Sequence, residues 1–168
     1  MAALPPDVRV ARKFRIIKGL DDNVIRTDHE IDAALLSAEQ GEWVVLNASN
    51  KAVKATGASL AAPAQNTAVN WTEYVKGDAN NGQSDAAELN QLTLVTGSYQ
   101  AQTKLFESTG TFTPGFLLVV RESTTVAGQG VLDAVNPASA TAVQLAGAVG
   151  KVVLLASGVL TYRSNGAA

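Results

Sequence analysis

Short apolar stretches separated by polar, glycine-containing turns run through most of this chain. WVVLN (Trp43–Asn47), the polar turn ASNK and then AVKAT read as a β-hairpin. NTAVNWTEYVKG sets Val69, Trp71, Tyr74 and Val75 among polar residues and reads as an irregular strand. Leu92, Leu94 and Thr96 alternate with Thr93 and Val95 up to Gly97, and Tyr99, Ala101, Thr103 and Leu105 keep a period of two up to Phe106. Such a period belongs to strands with one buried face. In TFTPGFLLVV, Pro114 presets φ and Gly115 accepts a positive φ, as a type II turn or a bulge requires. Phe116–Val120 is apolar without a break and predicts a buried strand. GVLDAV, AVQLAGAV, KVVLLA and GVLTYRS follow between Gly, Asn-Pro and Ser-Gly turns. Many short strands without helix–strand alternation predict a mainly β fold. The expected form is a compact β-barrel or sandwich of short antiparallel strands, with at most one or two short helices.

The N-terminal region differs. Residues 1–13 show no period and contain Pro5-Pro6, which predicts an extended arm ahead of a single β-rich domain over residues 14–168. FRIIK (Phe14–Lys18) reads as a first short strand. Thr27 and Glu30 have capping-box spacing ahead of IDAALLSAEQG, and Gly41 suits a helix end, so a helix is expected within residues 28–40, with strand and loop as the alternative. Residues 57–66 and 77–88, the latter rich in Asn and Gly, have loop chemistry throughout.

Composition narrows the functional classes. Of 168 residues, 46% are hydrophobic and 17% charged, below the usual quarter, which suits surfaces covered by other protein. A net charge of −2 argues against broad nucleic-acid binding. No cysteine is present, so disulfides, thiolate catalysis and cysteine metal sites are ruled out. The longest apolar runs are too short to span a bilayer as a helix. In MAALPPDVRVARKFR the basic residues follow the apolar ones, unlike a signal peptide, so synthesis in a cytosol is expected. Charge is laid out in blocks: Arg9, Arg12, Lys13, Arg15 and Lys18 precede Asp21, Asp22, Asp28, Glu30, Asp32, Glu39 and Glu42. Blocks of opposite sign attract within a chain or between neighbouring copies.

Candidate chemistry is sparse. His29 is the only histidine, and a metal site would need partners the chain does not offer as His or Cys. DANNG (Asp78–Gly82) resembles the start of a calcium loop, but Gly82 falls in the fifth place and Leu89 in the twelfth, so the pattern fails. Asp21, Asp22, Asp28 and Asp32 are read as solvated acids rather than a catalytic pair. Ser98 and Ser157 lack a nucleophile elbow, and no phosphate-binding glycine pattern occurs. The aromatics fall at strand spacing beside Val and Leu, where core packing explains them. No enzymatic activity, cofactor or metal is expected.

One set of motifs points to a family. Gly41-Glu-Trp-Val-Val-Leu-Asn, Gly97-Ser-Tyr-Gln, Thr103-Lys-Leu-Phe-Glu, Phe112-Thr-Pro-Gly-Phe-Leu-Leu-Val-Val, Gly130-Val-Leu-Asp-Ala, Val149-Gly-Lys-Val and Gly158-Val-Leu-Thr-Tyr-Arg occur in an order that resembles capsid decoration (cement) proteins of tailed bacteriophages. The resemblance implies a structural virion protein on the capsid surface, made in the bacterial host cytoplasm. Its partner would be the major capsid protein, and its working unit a homodimer or homotrimer, without direct nucleic-acid or membrane contact. It would bind where capsid proteins meet and resist the pressure of packaged DNA. A terminal arm would carry capsid-binding residues, here Leu4, Pro5, Pro6, Val8, Arg9, Val10, Arg12 and Lys13. The alternative is a tail-tube or head-tail joining protein, in which residues 77–88 would polymerise.

Overall fold

The computed structural model describes residues 13–56, 66–71, 74–75 and 91–165, with backbone alone at 19–23 and 74–75. The fold is mainly β, as the alternating pattern predicts: one curled antiparallel sheet forms a half-barrel. Its elements are β1 (Phe14–Glu30), β2 (Ser37–Ala38), β3 (Trp43–Leu46), β4 (Ala52–Lys54), β5 (Thr67–Asn70), β6 (Tyr74–Val75), β7 (Gln91–Thr103), β8 (Leu117–Glu122), β9 (Gly130–Val135), α1 (Ala142–Ala146), β10 (Ala148–Ala156) and β11 (Val159–Ser164). The large sheet runs β4-β3-β5-β7-β11-β10-β8-β9, with β1 added on β7, while β2 and β6 form a separate ribbon.

β7 is shared by two halves of the sheet. Its Leu94 and Val95 pair with β5, and its Gln100–Thr103 pair with β11. Those same residues also pair with β1, so β5 and β11 occupy one edge in turn and β1 holds the other. The handover falls at Gly97, whose φ of 93° is open to glycine and strained for other residues. β1 bulges opposite this point, between Gly19 and Val24, so both strands bend together and the sheet curls.

Side-chain alternation then builds two cores. Trp43, Val69 and Val95 face a larger cluster with Phe14, Tyr99, Leu118, Leu132, Leu160 and Tyr162. Their neighbours Val44, Ala68 and Leu94 face a smaller cluster closed by Ile31, Leu35 and Ala38. Burial on both faces explains the apolar character of WVVL and the full burial of TAVN. The curl brings β9 onto β3 so closely that a Cβ on Gly130 would lie 1.9 Å from the Trp43 carbonyl oxygen.

Several sequence expectations hold. The β3–β4 hairpin turns through Asn47–Asn50, and Thr113–Phe116 forms the turn expected of Pro-Gly, with Gly115 at φ 88° and Phe116 N–H donating to the Thr113 carbonyl at 3.0 Å. Three differ. Residues 28–40 are not helical: β1 continues to Glu30, Ile31 bridges to Ala52, and turns lead into β2. The Thr27–Glu30 spacing loses because β7 supplies a paired edge along this stretch and Ile31 and Leu35 are buried in the smaller core. FRIIK is only the beginning of a 17-residue strand. AVQLA, expected as strand, is the single described helix, capped by Thr141 and Gln144 in a reciprocal pair. The expected arm, residues 57–65 and the Asn-rich loop 77–88 lie outside the described residues.

Two glycine substitutions separate close approach from backbone conformation. Gly130→Ala forces β9 off β3 and is expected to cost about 1–3 kcal/mol. Gly115→Ala, with nothing within 4 Å, bears only the left-handed backbone term of about 1–2 kcal/mol. Urea unfolding with the Trp43 and Trp71 fluorescence checks both. A perturbed near-ultraviolet spectrum is expected for Gly130→Ala alone.

Candidate functional site

Of the capsid-binding residues expected from the resemblance, Leu4, Pro5, Pro6, Val8, Arg9, Val10 and Arg12 lie outside the described residues, while Lys13 is described. Lys13 closes the sheet end: its carbonyl accepts from the Lys104 N–H at 2.8 Å, and its ammonium pairs with Glu39. Phe14, next along, begins a row that crosses four strands, Phe14–Thr103–Leu160–Leu155. At a strand spacing of about 4.8 Å, the root of β1 stands about 15 Å from Leu155.

That far end is an exposed apolar rim. β10 is paired with β8 only as far as Lys151, and its remaining residues keep β11 alone as a strand neighbour. A bulge at Val153 then interrupts the alternation. As a result Val153, Leu154 and Leu155 are 38%, 51% and 37% exposed, although KVVLLA has the composition of a buried strand. The hairpin closes through Ser157 and Gly158, both at positive φ. Periodicity could not reveal this rim, because exposure follows from β8 being shorter than β10.

The described cleft lies elsewhere. A space of about 340 Å³ is lined by residues including Leu36, Glu39, Glu42, Lys54, Val126 and Gln129. Its buried Glu42 accepts from Lys54 Nζ at 2.7 Å and from the Glu39 backbone N–H at 2.9 Å. Glu39 in turn accepts from Lys13 and from Gln129 Nε2. These charges join the start of β1, the 31–42 segment and the β8–β9 loop. Both carboxylates are engaged, and together they staple these segments across the cleft.

Other ionisable groups behave likewise. Burial opposes ionisation of Glu107, yet the Thr124 backbone N–H and hydroxyl, at 3.1 and 2.9 Å, hold its carboxyl below the ordinary range and pin the loop after β8. The Tyr99 and Tyr162 hydroxyls lie 3.5 Å apart inside the larger core. Burial pushes the Tyr99 phenol up to about 12, against hydrogen bonds from Tyr162 and Ser164 that favour ionisation. Burial and then the neighbouring Tyr99 raise Tyr162 well above its ordinary value.

The residues singled out for chemistry are dispersed. His29 has one ring nitrogen 2.9 Å from Thr27 Oγ1 and the other 3.4 Å from the Asn50 carbonyl, a local tie between β1 and the β3–β4 turn. Asp28 accepts from the Thr93 hydroxyl at 2.7 Å, and Asp32 accepts from the Ala34 N–H and Asn47 Nδ2. The Asp21 and Asp22 side chains are outside the described set. Among the described residues no three His, Asp or Glu side chains gather as metal ligands, and no buried side-chain polar atom lacks a hydrogen bond. No described helix is long and apolar enough to cross a membrane. The chain matches no family model, no curated protein and no solved structure.

The tyrosine pair generates a pH prediction. The folded state holds both phenols neutral above their ordinary value, so their stabilising effect is complete below about pH 10. It is lost as pH rises through that value toward the folded-state value of about 12. Phenolate absorbance at high pH is expected to rise together with unfolding. Independent ionisation of all tyrosines near pH 10 in the folded protein would contradict this.

Proposed function

We propose that this chain is a non-enzymatic structural virion protein that binds the outer surface of a phage head at junctions between major capsid proteins and stabilises it against DNA pressure. The observation carrying this reading is the single pole of the sheet. The root of the arm at Lys13–Phe14 and the apolar rim Val153–Leu155 end the same row of strands. A rigid sheet that presents an apolar rim beside a chain entry suits attachment to a larger protein surface, where the rim is covered and the arm extends the contact. Twelve extended residues reach at most about 40 Å, enough to cross a subunit boundary, and repetition over a lattice multiplies modest affinity. In this reading the protein is made in the bacterial cytoplasm, acts as a homodimer or homotrimer and resides on the capsid surface.

One observation favours the alternative of a tail-tube or head-tail joining protein. Among the described residues the outer edge of β1 has no strand neighbour beyond the single bridge from Ile31 to Ala52. A free edge of that length suits lateral pairing of copies into a ring.

Co-sedimentation with empty heads of the encoding phage tests the primary reading. Deleting residues 1–12, which keeps the Lys13 contacts to Lys104 and Glu39, is expected to weaken binding while leaving the unfolding transition of the domain in place. Leu154→Asp is expected to weaken it roughly fivefold or more, the equivalent of about 1 kcal/mol of apolar burial. Undiminished binding by both variants would overturn attachment through the arm and the apolar rim. Ring or tube formation by the purified protein without heads would favour the alternative.

A further inference from the structure

Charge pairing in the described residues is lopsided, and the leftover cations share one place. Glu30, Glu39, Glu42 and Asp133 hold ion pairs with Lys51, Lys13, Lys54 and Arg121. Asp28, Asp32, Glu107 and Glu122 accept hydrogen bonds from hydroxyl, amide or backbone donors. Lys18, Lys151 and Arg163 have neither an ion pair nor a hydrogen bond from their side chains among the described residues. These three lie on one row across four strands, Lys151–Arg163–Gln100–Lys18, from β10 through β11 and β7 to β1. Alternation fixes their common face. Tyr162 and Ala101 of the adjacent row point into the larger core, so Arg163, Gln100 and the rest of their row point outward, and all three cations are exposed.

The next outward row adds a fourth cation. Arg15 stands opposite Gln102, which stands opposite Thr161. Arg15 Nε donates to Gln102 Oε1 at 2.7 Å, and Gln102 Nε2 donates to Thr161 Oγ1 at 3.3 Å. This relay holds the guanidinium by its inner nitrogen and leaves its terminal fork without a partner among the described residues. No described acid shares either row. Moreover, Lys151 and Arg163 are direct cross-strand partners, an arrangement of like charges that lowers stability. Among the described residues this face carries four cations, one repulsive pair and no carboxylate, a surplus whose counter-charge a partner can supply.

We propose that this outward face of β1, β7, β11 and β10 is a docking surface for an acidic polypeptide, whose carboxylates sit along the Lys151–Arg163–Lys18 row and in the Arg15 fork. Polypeptide rather than nucleic acid fits because the face has no aromatic platform. Its aromatics Tyr99 and Tyr162 point inward, and stacking platforms are the usual companions of basic residues on single strands. Aliphatic residues flank the cations instead: Ile17, at the β1 bulge, is 42% exposed, and Leu154 occupies the Arg15 row. The proposal needs no capsid partner, so it stands or falls apart from the head-docking reading.

Fluorescence anisotropy with a labelled poly-L-glutamate peptide tests it on the full chain, with duplex DNA of matched charge as the second probe. Polyglutamate is expected to bind, to weaken as salt rises, and to outcompete DNA. The Lys18→Glu/Arg163→Glu double variant is expected to bind about tenfold or more weakly. Lys151→Glu separates binding from folding. It places opposite charges across from each other at Lys151 and Arg163, so its melting temperature should hold or rise while peptide affinity falls. Absence of polyglutamate binding, tighter binding of DNA, or full affinity in these variants would overturn the proposal.

Discussion

Backbone hydrogen bonding along both edges of β7 organises the whole sheet. A strand of 13 residues leaves donors and acceptors on two sides, and each buried one must find a partner. β1 satisfies one edge, while β5 and β11 divide the other. That division makes a single sheet out of two arrays and places a core on each side of the β3–β5–β7 segment. The glycine at the handover permits the bend, and the bend sends β9 back onto β3 until backbone meets backbone at Gly130 and Trp43.

The surface follows from the same framework. β11 and β10 pass their register outward from β7, so residues far apart in sequence share rows, and row membership decides what reaches solvent together. One row ends in the chain entry at Phe14 and in the apolar rim at Leu155. The next outward-facing rows gather four cations. Elsewhere the polar groups serve the fold: Glu42 with Lys54, Asp133 with Arg121, and Glu107 with the loop after β8 hold neighbouring segments in place. The exposed apolar rim and the cationic rows thus lie on one end and one face of the sheet, while the charges of the cleft brace its neighbouring segments.

Local pattern made much of the fold legible. The alternation through Leu92–Thr103, the WVVLN–AVKAT hairpin and the Pro-Gly turn each depend on interactions within a few residues, and each reads correctly from the chain. Readings failed where a distant partner decides the outcome. Residues 28–30 extend because β7 offers an edge, against a local capping-box spacing. AVQLA is helical through a Thr141–Gln144 cap that its apolar composition conceals. KVVLLA reads correctly as a strand, but its apolar composition does not show that a bulge and the early end of β8 leave its tip open. The candidate surfaces were the least legible part, since Lys18, Lys151 and Arg163 become neighbours only through three successive strand registers. No spacing in one chain encodes such a row.

β7 joins both cores into one cooperative platform that carries the apolar rim and the cationic face together. Native-state amide hydrogen exchange tests this most directly. Leu92, Leu94 and Val95 before the handover, and Tyr99 and Ala101 after it, are expected to exchange in the slowest class with a common opening free energy equal to that of global unfolding. Two distinct opening free energies, one on each side of Gly97, would show that the halves unfold independently and would contradict the shared-strand account.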